Sequence, residues 1–387
     1  MLTEKKEIQS KIVEKKLKGH TRSVNALAVL PNNILASGSD DKTIRFWSLQ
    51  TGKCLRVLNG HNREVVALLV LPNGELVSGG YDVPMRLWSP ITGKCLRVFK
   101  GFCVNAFTDL SAGMFASVTD DPSIYFWSSS SDTCRRHLFL EGHTVPVFEL
   151  IVLPNGTLVT ASDVLGVHFW SPKTGECLRV LEGHTRVVYS LALLHDGTLV
   201  SGSGDETIRF WSPKTGKCLR VLKEHTGSIN TLIVLPNGIL ASGSYDGTIR
   251  FWSPMTGKCL RILKHHTDSV ISLVVLPDGR LASGSEDRTI KLTPLPELKK
   301  HFQTIFMAMN SLIAVKDITG LIMSYYFEKR FCKYYNSLML PLLSSQLGDH
   351  TLKVSPQKRK RGIPDKKYNA AQIVKGEEHL KNVSNEI

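Results

Sequence analysis

Between residues 17 and 293 the apolar positions fall into short runs, four to a unit, and the unit recurs. In the first unit Ser23 to Leu30 is apolar and ends in a Pro-Asn turn, and Ile34 to Ser39 follows. Asp40-Asp41-Lys42 then turns the chain into Thr43 to Ser48, and Gln50-Thr51-Gly52 turns it into Cys54 to Leu58. Runs of this length, bounded by Asn, Asp, Gly and Pro, predict β-strands. The later counterparts of the first turn read Leu71-Pro72-Asn73-Gly74, Pro154-Asn155-Gly156 and Pro236-Asn237-Gly238. Asn-Gly between two apolar runs is a strong hairpin signal, because both residues tolerate positive φ.

The repeat length is 41. Gly-His occurs at Gly19-His20, Gly60-His61, Gly142-His143 and Gly183-His184, and the same slot reads Gly101-Phe102, Glu224-His225 and His265-His266. Trp47, Trp88, Trp170, Trp211 and Trp252 each follow that slot by 27 residues. Trp127 arrives two residues early, and Thr293 takes the seventh place. One four-stranded sheet cannot cover both of its faces, whereas seven stacked radially cover one another. The predicted fold class is therefore all-β, a seven-bladed β-propeller.

Ser-Gly-Ser-x-Asp-x-Thr-Ile-Arg-Phe-Trp, following Gly-His, resembles the signature of the WD40 family, and the likeness runs over all seven units. The resemblance implies a hydrogen-bonded network of His, Ser or Thr, Asp and Trp inside each blade. It would comprise His20, Ser37, Asp41 and Trp47; His61, Ser78, Asp82 and Trp88; His184, Ser201, Asp205 and Trp211; and His225, Ser242, Asp246 and Trp252. Three units depart: the third has Phe102 for His, the fourth Val164 for Asp, the seventh Thr293 for Trp. The Trp is followed by Ser in all six cases, so the Trp-Asp-x-Arg signature of cullin-adaptor docking is missing. The family pattern also implies that residues 12–17 supply the last strand of the seventh blade, which places the propeller at 12–297 after an extension at 1–11.

Partners of such propellers use the rim that carries the Gly-His loops and Asp turns. The candidate binding residues there are Arg22, Asp40, Arg63, Glu64, Tyr81, Asp120, Asp163, Arg186, Tyr245, Asp268 and Glu286. Arg and Tyr are residue types that anchor interfaces. The opposite face carries Lys53, Lys94, Lys217 and Lys258 in Gly-Lys turns.

Charge sharpens the partner class. The net charge is +14, but residues 294–387 alone hold 15 Lys+Arg against 8 Asp+Glu. The repeats are therefore nearly balanced, which argues against a nucleic-acid clamp. Six of the eight cysteines are periodic (Cys54, Cys95, Cys134, Cys177, Cys218 and Cys259) and are read as small core residues in a reducing compartment. The recurring His, Ser and Asp are read as structural rather than as a hydrolase triad, since no nucleophile elbow accompanies them. No cofactor and no metal site is expected. No apolar run reaches the roughly 18 residues of a membrane span, and residues 1–16 hold no signal-peptide-like stretch.

Beyond the repeats, residues 298–345 show helix-compatible apolar spacing, including Phe302, Ile305, Phe306, Met309 and Ile313, and predict a small helical extension. Residues 346–387 read as a disordered basic tail with Lys358, Arg359, Lys360 and Arg361 as a candidate import signal. The functional expectation is a non-enzymatic, monomeric scaffold or adaptor that binds proteins or peptides. It would be cytoplasmic, with a nuclear location as the variant. The alternative is a nucleic-acid- or chromatin-associated factor that uses the basic tail.

Overall fold

In the computed structural model the described residues are 14–82, 84–111, 113–121, 123–140, 146–162 and 166–295. They form 28 strands in seven four-stranded antiparallel sheets. After β1 (Lys15–Lys18), blade 1 holds β2 (Val24–Leu30), β3 (Ile34–Ser39), β4 (Ile44–Ser48) and β5 (Cys54–Leu58). Blade 2 holds β6 (Val65–Val70), β7 (Leu76–Gly80), β8 (Pro84–Trp88) and β9 (Cys95–Lys100). Blade 3 holds β10 (Ala106–Ser111), β11 (Met114–Val118), β12 (Ser123–Ser128) and β13 (Arg136–Phe139). Blade 4 holds β14 (Glu149–Val152), β15 (Leu158–Ala161), β16 (Val167–Trp170) and β17 (Cys177–Leu181). Blade 5 holds β18 (Val188–Leu193), β19 (Leu199–Ser203), β20 (Ile208–Trp211) and β21 (Cys218–Leu222). Blade 6 holds β22 (Ile229–Val234), β23 (Leu240–Ser244), β24 (Ile249–Trp252) and β25 (Cys259–Leu263). Blade 7 holds β26 (Val270–Val275), β27 (Arg280–Ser285) and β28 (Thr289–Pro294).

Blade 7 takes its fourth strand from the other end of the propeller. β1 pairs antiparallel with β28, Leu17 opposite Ile290. The observed closing strand is Lys15–Lys18, shifted from the expected 12–17, and residues 12 and 13 lie outside the described residues. The expected helical extension at 298–345 and the basic tail, including Lys358, Arg359, Lys360 and Arg361, also lie outside them.

Each hydrophobic cluster belongs to a pair of neighbouring blades. Ala28, Ala36, Ile44, Phe46 and Leu58 of blade 1 pack with Val65, Leu76 and Trp88 of blade 2. Leu17, Ile290 and Leu292 pack with Val24, Leu35 and Trp47 across the junction of blades 7 and 1. Each Trp thus fills the seam with the blade before it. The seam between blades 6 and 7 has Leu235, Phe251, Val270 and Leu295 but no indole, because Thr293 occupies that slot. Blade contact is close enough to require a missing side chain. A Cβ on Gly202 would lie 2.5 Å from Cγ2 of Ile229 in the next blade.

Strand direction separates two faces. The loops before each inner strand and the β3–β4 type of turn lie at one end of the blades. The β4–β5 type of turn, with the Gly-Lys sequences, lies at the other. The outer strands correct one expectation. Cys54, Cys95, Cys177 and Cys218 are exposed, and Cys134 and Cys259 are half-buried. Five of them open strands that have only one neighbour, and Cys134 stands just before β13, so one side faces solvent. Leu55, at 55% exposure on the same strand, shares that position.

Candidate functional site: the loop face and the network beneath it

Four blades carry an unbroken relay. In blade 1, His20 Nδ1 donates to Asp41 Oδ2 at 2.7 Å. The Ser37 hydroxyl donates to His20 Nε2 at 2.7 Å, and Trp47 Nε1 donates to Ser37 Oγ at 2.8 Å. A neutral imidazole with its proton on Nδ1 satisfies every member. His61, Ser78, Asp82 and Trp88 repeat the pattern, as do His184, Ser201, Asp205 and Trp211, and His225, Ser242, Asp246 and Trp252.

The carboxylates are held ionised. Burial opposes the charge on Asp41, yet hydrogen bonds from His20, Thr43 and the Thr21 amide outweigh it and hold the carboxyl well below the usual range. Asp205 and Asp246 are depressed in the same way, with burial again outweighed by His and Thr donors. The Asp also sets the turn: Thr43 N donates to Asp41 Oδ1 at 3.0 Å, while Lys42 takes positive φ at 68°. Ser37, Ser78, Ser201 and Ser242 are fully buried and each holds an indole N–H, so no substrate carbonyl reaches these oxygens.

The departing blades are repaired unequally. In blade 3 Phe102 has no N–H to offer, and Tyr125 donates to Asp121 Oδ2 at 2.6 Å instead. Trp127 Nε1 still donates to Ser117 Oγ at 2.9 Å. In blade 4 Trp170 Nε1 donates to Thr160 Oγ1 at 2.8 Å, while His143 and Val164 lie outside the described residues. Blade 7 keeps His266, Asp287 and Ser283, with 2.7 Å at both contacts. Burial pushes the His266 pKa down to about 4. Thr293 Oγ1 in the Trp slot is buried without a hydrogen-bond partner.

Above this frame the rim side chains differ from blade to blade. Arg22, Arg63, Asp120, Arg186 and Asp268 are exposed, as are Tyr81 at 46% and Tyr245 at 64%; Asp40, Glu64 and Glu286 are half-buried. The fold gathers part of this set. Burial and the charges of Asp120, Asp40 and Glu64 raise the Tyr81 pKa. Burial and the charges of Asp268 and Asp40 raise that of Glu286. Blades 7, 1, 2 and 3 thereby share one anionic arc. Asn25 Nδ2 donates to Asp40 Oδ1 at 2.6 Å, and Asn105 Nδ2 donates to Asp120 Oδ1 at 3.0 Å. Arg63 approaches Glu64 at 3.7 Å. Arg186 and Tyr245 stand apart on blades 5 and 6, and Asp163 lies outside the described residues.

A family profile described as "WD domain, G-beta repeat" matches residues 11–48, 52–82, 175–212, 216–253 and 257–293. These five stretches of the propeller are WD40 repeats. The unmatched stretch between residues 82 and 175 contains the blades in which Phe102 and Val164 replace relay residues. The solved WD40 beta propeller domain of Doa1 is similar in fold, with a TM-score of 0.65 and 23% identity, covering 72% of this chain and 94% of that one. Two curated relatives match over 42 residues at 45% identity: Mitochondrial division protein 1 of Schizosaccharomyces pombe and a Ribosome biogenesis protein BOP1 homolog of Drosophila virilis. Each match covers 11% of this chain and only 6% and 5% of those proteins. Among the described residues no helix is long and apolar enough to cross a membrane, and no group of three or more His, Cys, Asp or Glu is placed to hold a metal ion.

One set of WD40 residues was not singled out in the sequence: the Arg of each Cys-Leu-Arg run. Arg179 Nη1 donates to Pro213 O of the next blade at 2.8 Å, and Arg220 reaches Pro254 O at 2.5 Å and Met255 O at 2.9 Å. Arg56 bonds Thr92 O and, at 3.2 Å, Ile91 O. Arg220 and Arg261 also lie over Phe210 and Phe251. Lys15 stands one repeat before Arg56 and donates to Gln50 O at 2.6 Å, so the same clasp crosses the closing seam. The signal was the recurrence of Arg in six of the repeats, hidden because an outer-strand cation normally reads as a solvated side chain.

Glu149 is a second omission. It opens β14 where other WD40 blades carry Ala26, Ala67, Ser190 and Ser272 against the adjoining inner strand. Ser190 Oγ there accepts Leu232 N at 3.0 Å. A carboxyl in this slot is half-buried on the inner strand, and burial pushes its pKa up to about 8. Below its ordinary 4.5 the group is neutral in both states. Between there and about 8 the unfolded chain ionises it and the folded chain does not, so rising pH favours unfolding through this group. The expected result for Glu149→Gln is a melting temperature equal to wild type at acid pH and higher by about 5 °C near pH 8. Parallel melting curves for the two proteins across pH would contradict this account.

Proposed function

We propose that this propeller is a non-catalytic scaffold that binds partner proteins or peptides on the face carrying the His loops and Asp turns. One observation supports the reading above others. The repeated His, Ser, Asp and Trp are consumed inside the blades, while the slots over them change around the ring: the second residue past the His reads Arg22, Arg63, Arg186 and Asp268, and the residue before the turn Asp reads Asp40, Tyr81, Tyr245 and Glu286. A rigid repeating frame with a variable edge suits recognition, and Tyr and Arg are frequent energetic anchors at interfaces.

The test is quantitative affinity purification of the full chain. The combined variant Arg63→Glu, Tyr81→Ala and Arg186→Glu is expected to lose its specific partners by about tenfold or more, since anchors of this type contribute about 2 kcal/mol each. Lys53→Ala with Lys258→Ala, on the opposite face, is expected to keep them. Partners retained by the first variant and lost by the second would move the site to the other face.

A further inference from the structure

Blade 3 departs from the other blades at its upper edge in a way the frame does not need. A Cβ on Gly101 would lie 2.8 Å from Trp127, as one on Gly60 would lie 3.2 Å from Trp88, so Phe102 occupies the place of His61. A Cβ on Gly79 would meet Val104 as one on Gly38 would meet Val65. Three residues separate His61 from Val65, but only Cys103 separates Phe102 from Val104. The two-residue deletion therefore falls in this loop. Phe102 is 49% exposed instead of being sealed like the histidines.

Its ring stacks on Tyr125 at 4.6 Å. Cys103 Sγ donates to Tyr81 O at 3.4 Å and ties the loop to the neighbouring turn, where Tyr81 is exposed as well. Tyr81 N donates to Glu64 O at 3.2 Å, Asn105, two residues past Cys103, donates to Asp120 Oδ1 at 3.0 Å, and the charges of Asp120, Asp40 and Glu64 act on Tyr81. Aromatic faces are negative at their centres, and carboxylates beside them add to the same field. The sign is opposite to that of the chain as a whole at +14.

We infer that Phe102 and Tyr81, ringed by Asp120, Asp40 and Glu64, form a docking shelf for a lysine or arginine side chain of a partner polypeptide. The inference rests on the scaffold reading and names the chemistry of its partner. The cation lies against the rings and faces the carboxylates. Arg63, paired with Glu64, is a cation already at the edge of the shelf, so an incoming group takes the side of Asp120 and Asp40.

The experiment uses the full chain and two fluorescein-labelled peptides of glycine and serine. One carries two arginines; the other carries two citrullines, which have nearly the same shape but no charge. The arginine peptide is expected to bind at least tenfold more tightly. Tyr81→Ala, Phe102→Ala and Asp120→Asn are each expected to weaken it by roughly threefold to tenfold, and Lys258→Ala on the opposite face is expected to leave it unchanged. Asp120→Asn removes the charge of an exposed side chain while keeping an oxygen that can accept from Asn105, and it keeps the test valid if an aromatic variant misfolds. Equal binding of the two peptides, or arginine binding indifferent to the shelf variants, overturns the inference. If rim-dependent partners are still captured in that case, the scaffold reading survives without it.

Discussion

Removing residues 1–18 is expected to lower the melting temperature of the propeller by about 10–20 °C. The deletion takes away β1, which pairs with β28 along its whole length. Leu17 is 3% exposed and packs in the seam between blades 7 and 1. Its burial contributes about 2 kcal/mol, and the lost ladder bonds contribute about 1 kcal/mol each. The Lys15 clasp to Gln50 goes with them. A loss of about 5 kcal/mol corresponds to the stated shift for a domain of this size. The freed edge of β28 also becomes a template for pairing with other chains. Leu17→Asp in the full chain is expected to reproduce most of the effect, because a carboxylate there must be buried unpaired or the strand must detach. Scanning calorimetry decides the matter, and melting curves unaffected by both changes would show that the ring is held shut by something else.

Trp252→Ala is expected to destabilise the protein by about 3–5 kcal/mol, the usual cost of emptying a buried aromatic site. Trp252 is fully buried in the seam with blade 5, among Val200, Phe210 and Leu232. Trp252→Phe separates two contributions. It keeps most of the apolar body but removes the N–H that reaches Ser242 at 2.8 Å, and is expected to cost about 1–2 kcal/mol. Denaturant titration of both variants measures the division. Equal losses would mean that the relay, rather than packing, dominates at this position. Blade 7 shows what the protein tolerates. There Thr293 replaces the indole, His266 and Ser283 keep their bond, and the hydroxyl of Thr293 is buried unbonded.

Much of this was legible beforehand because it is periodic. The 41-residue recurrence of Gly-His and Trp was enough to expect seven blades, and the Asn-Gly turns placed the hairpins. The cysteines show where periodicity misleads. Small sulfur-bearing residues usually prefer interiors, but these stand at or just before the start of the outermost strand in blades 1 to 6, where only the side toward the blade is covered. The Arg clasp was missed for the converse reason. Along the chain Arg56 is a cation on an exposed strand, and its acceptors lie 35 and 36 residues away, in a turn of the next blade.

The candidate binding face divides in the same manner. Which residues vary at the rim can be read from one repeat laid on the next. That Asp120, Asp40 and Glu64 act on Tyr81, while Arg186 and Tyr245 sit on blades 5 and 6, depends on which blades adjoin in the ring. The linear chain therefore settles strand order, blade number and the relay in each complete repeat, since these are local or recur at a constant interval. The register of closure, Leu17 opposite Ile290, the inter-blade clasps, the partial burial of Glu149 and the exposure of Phe102 come from the folded ring alone. Each depends on contacts between blades, and neither the distance nor the burial that defines such a contact exists until the seven sheets are packed.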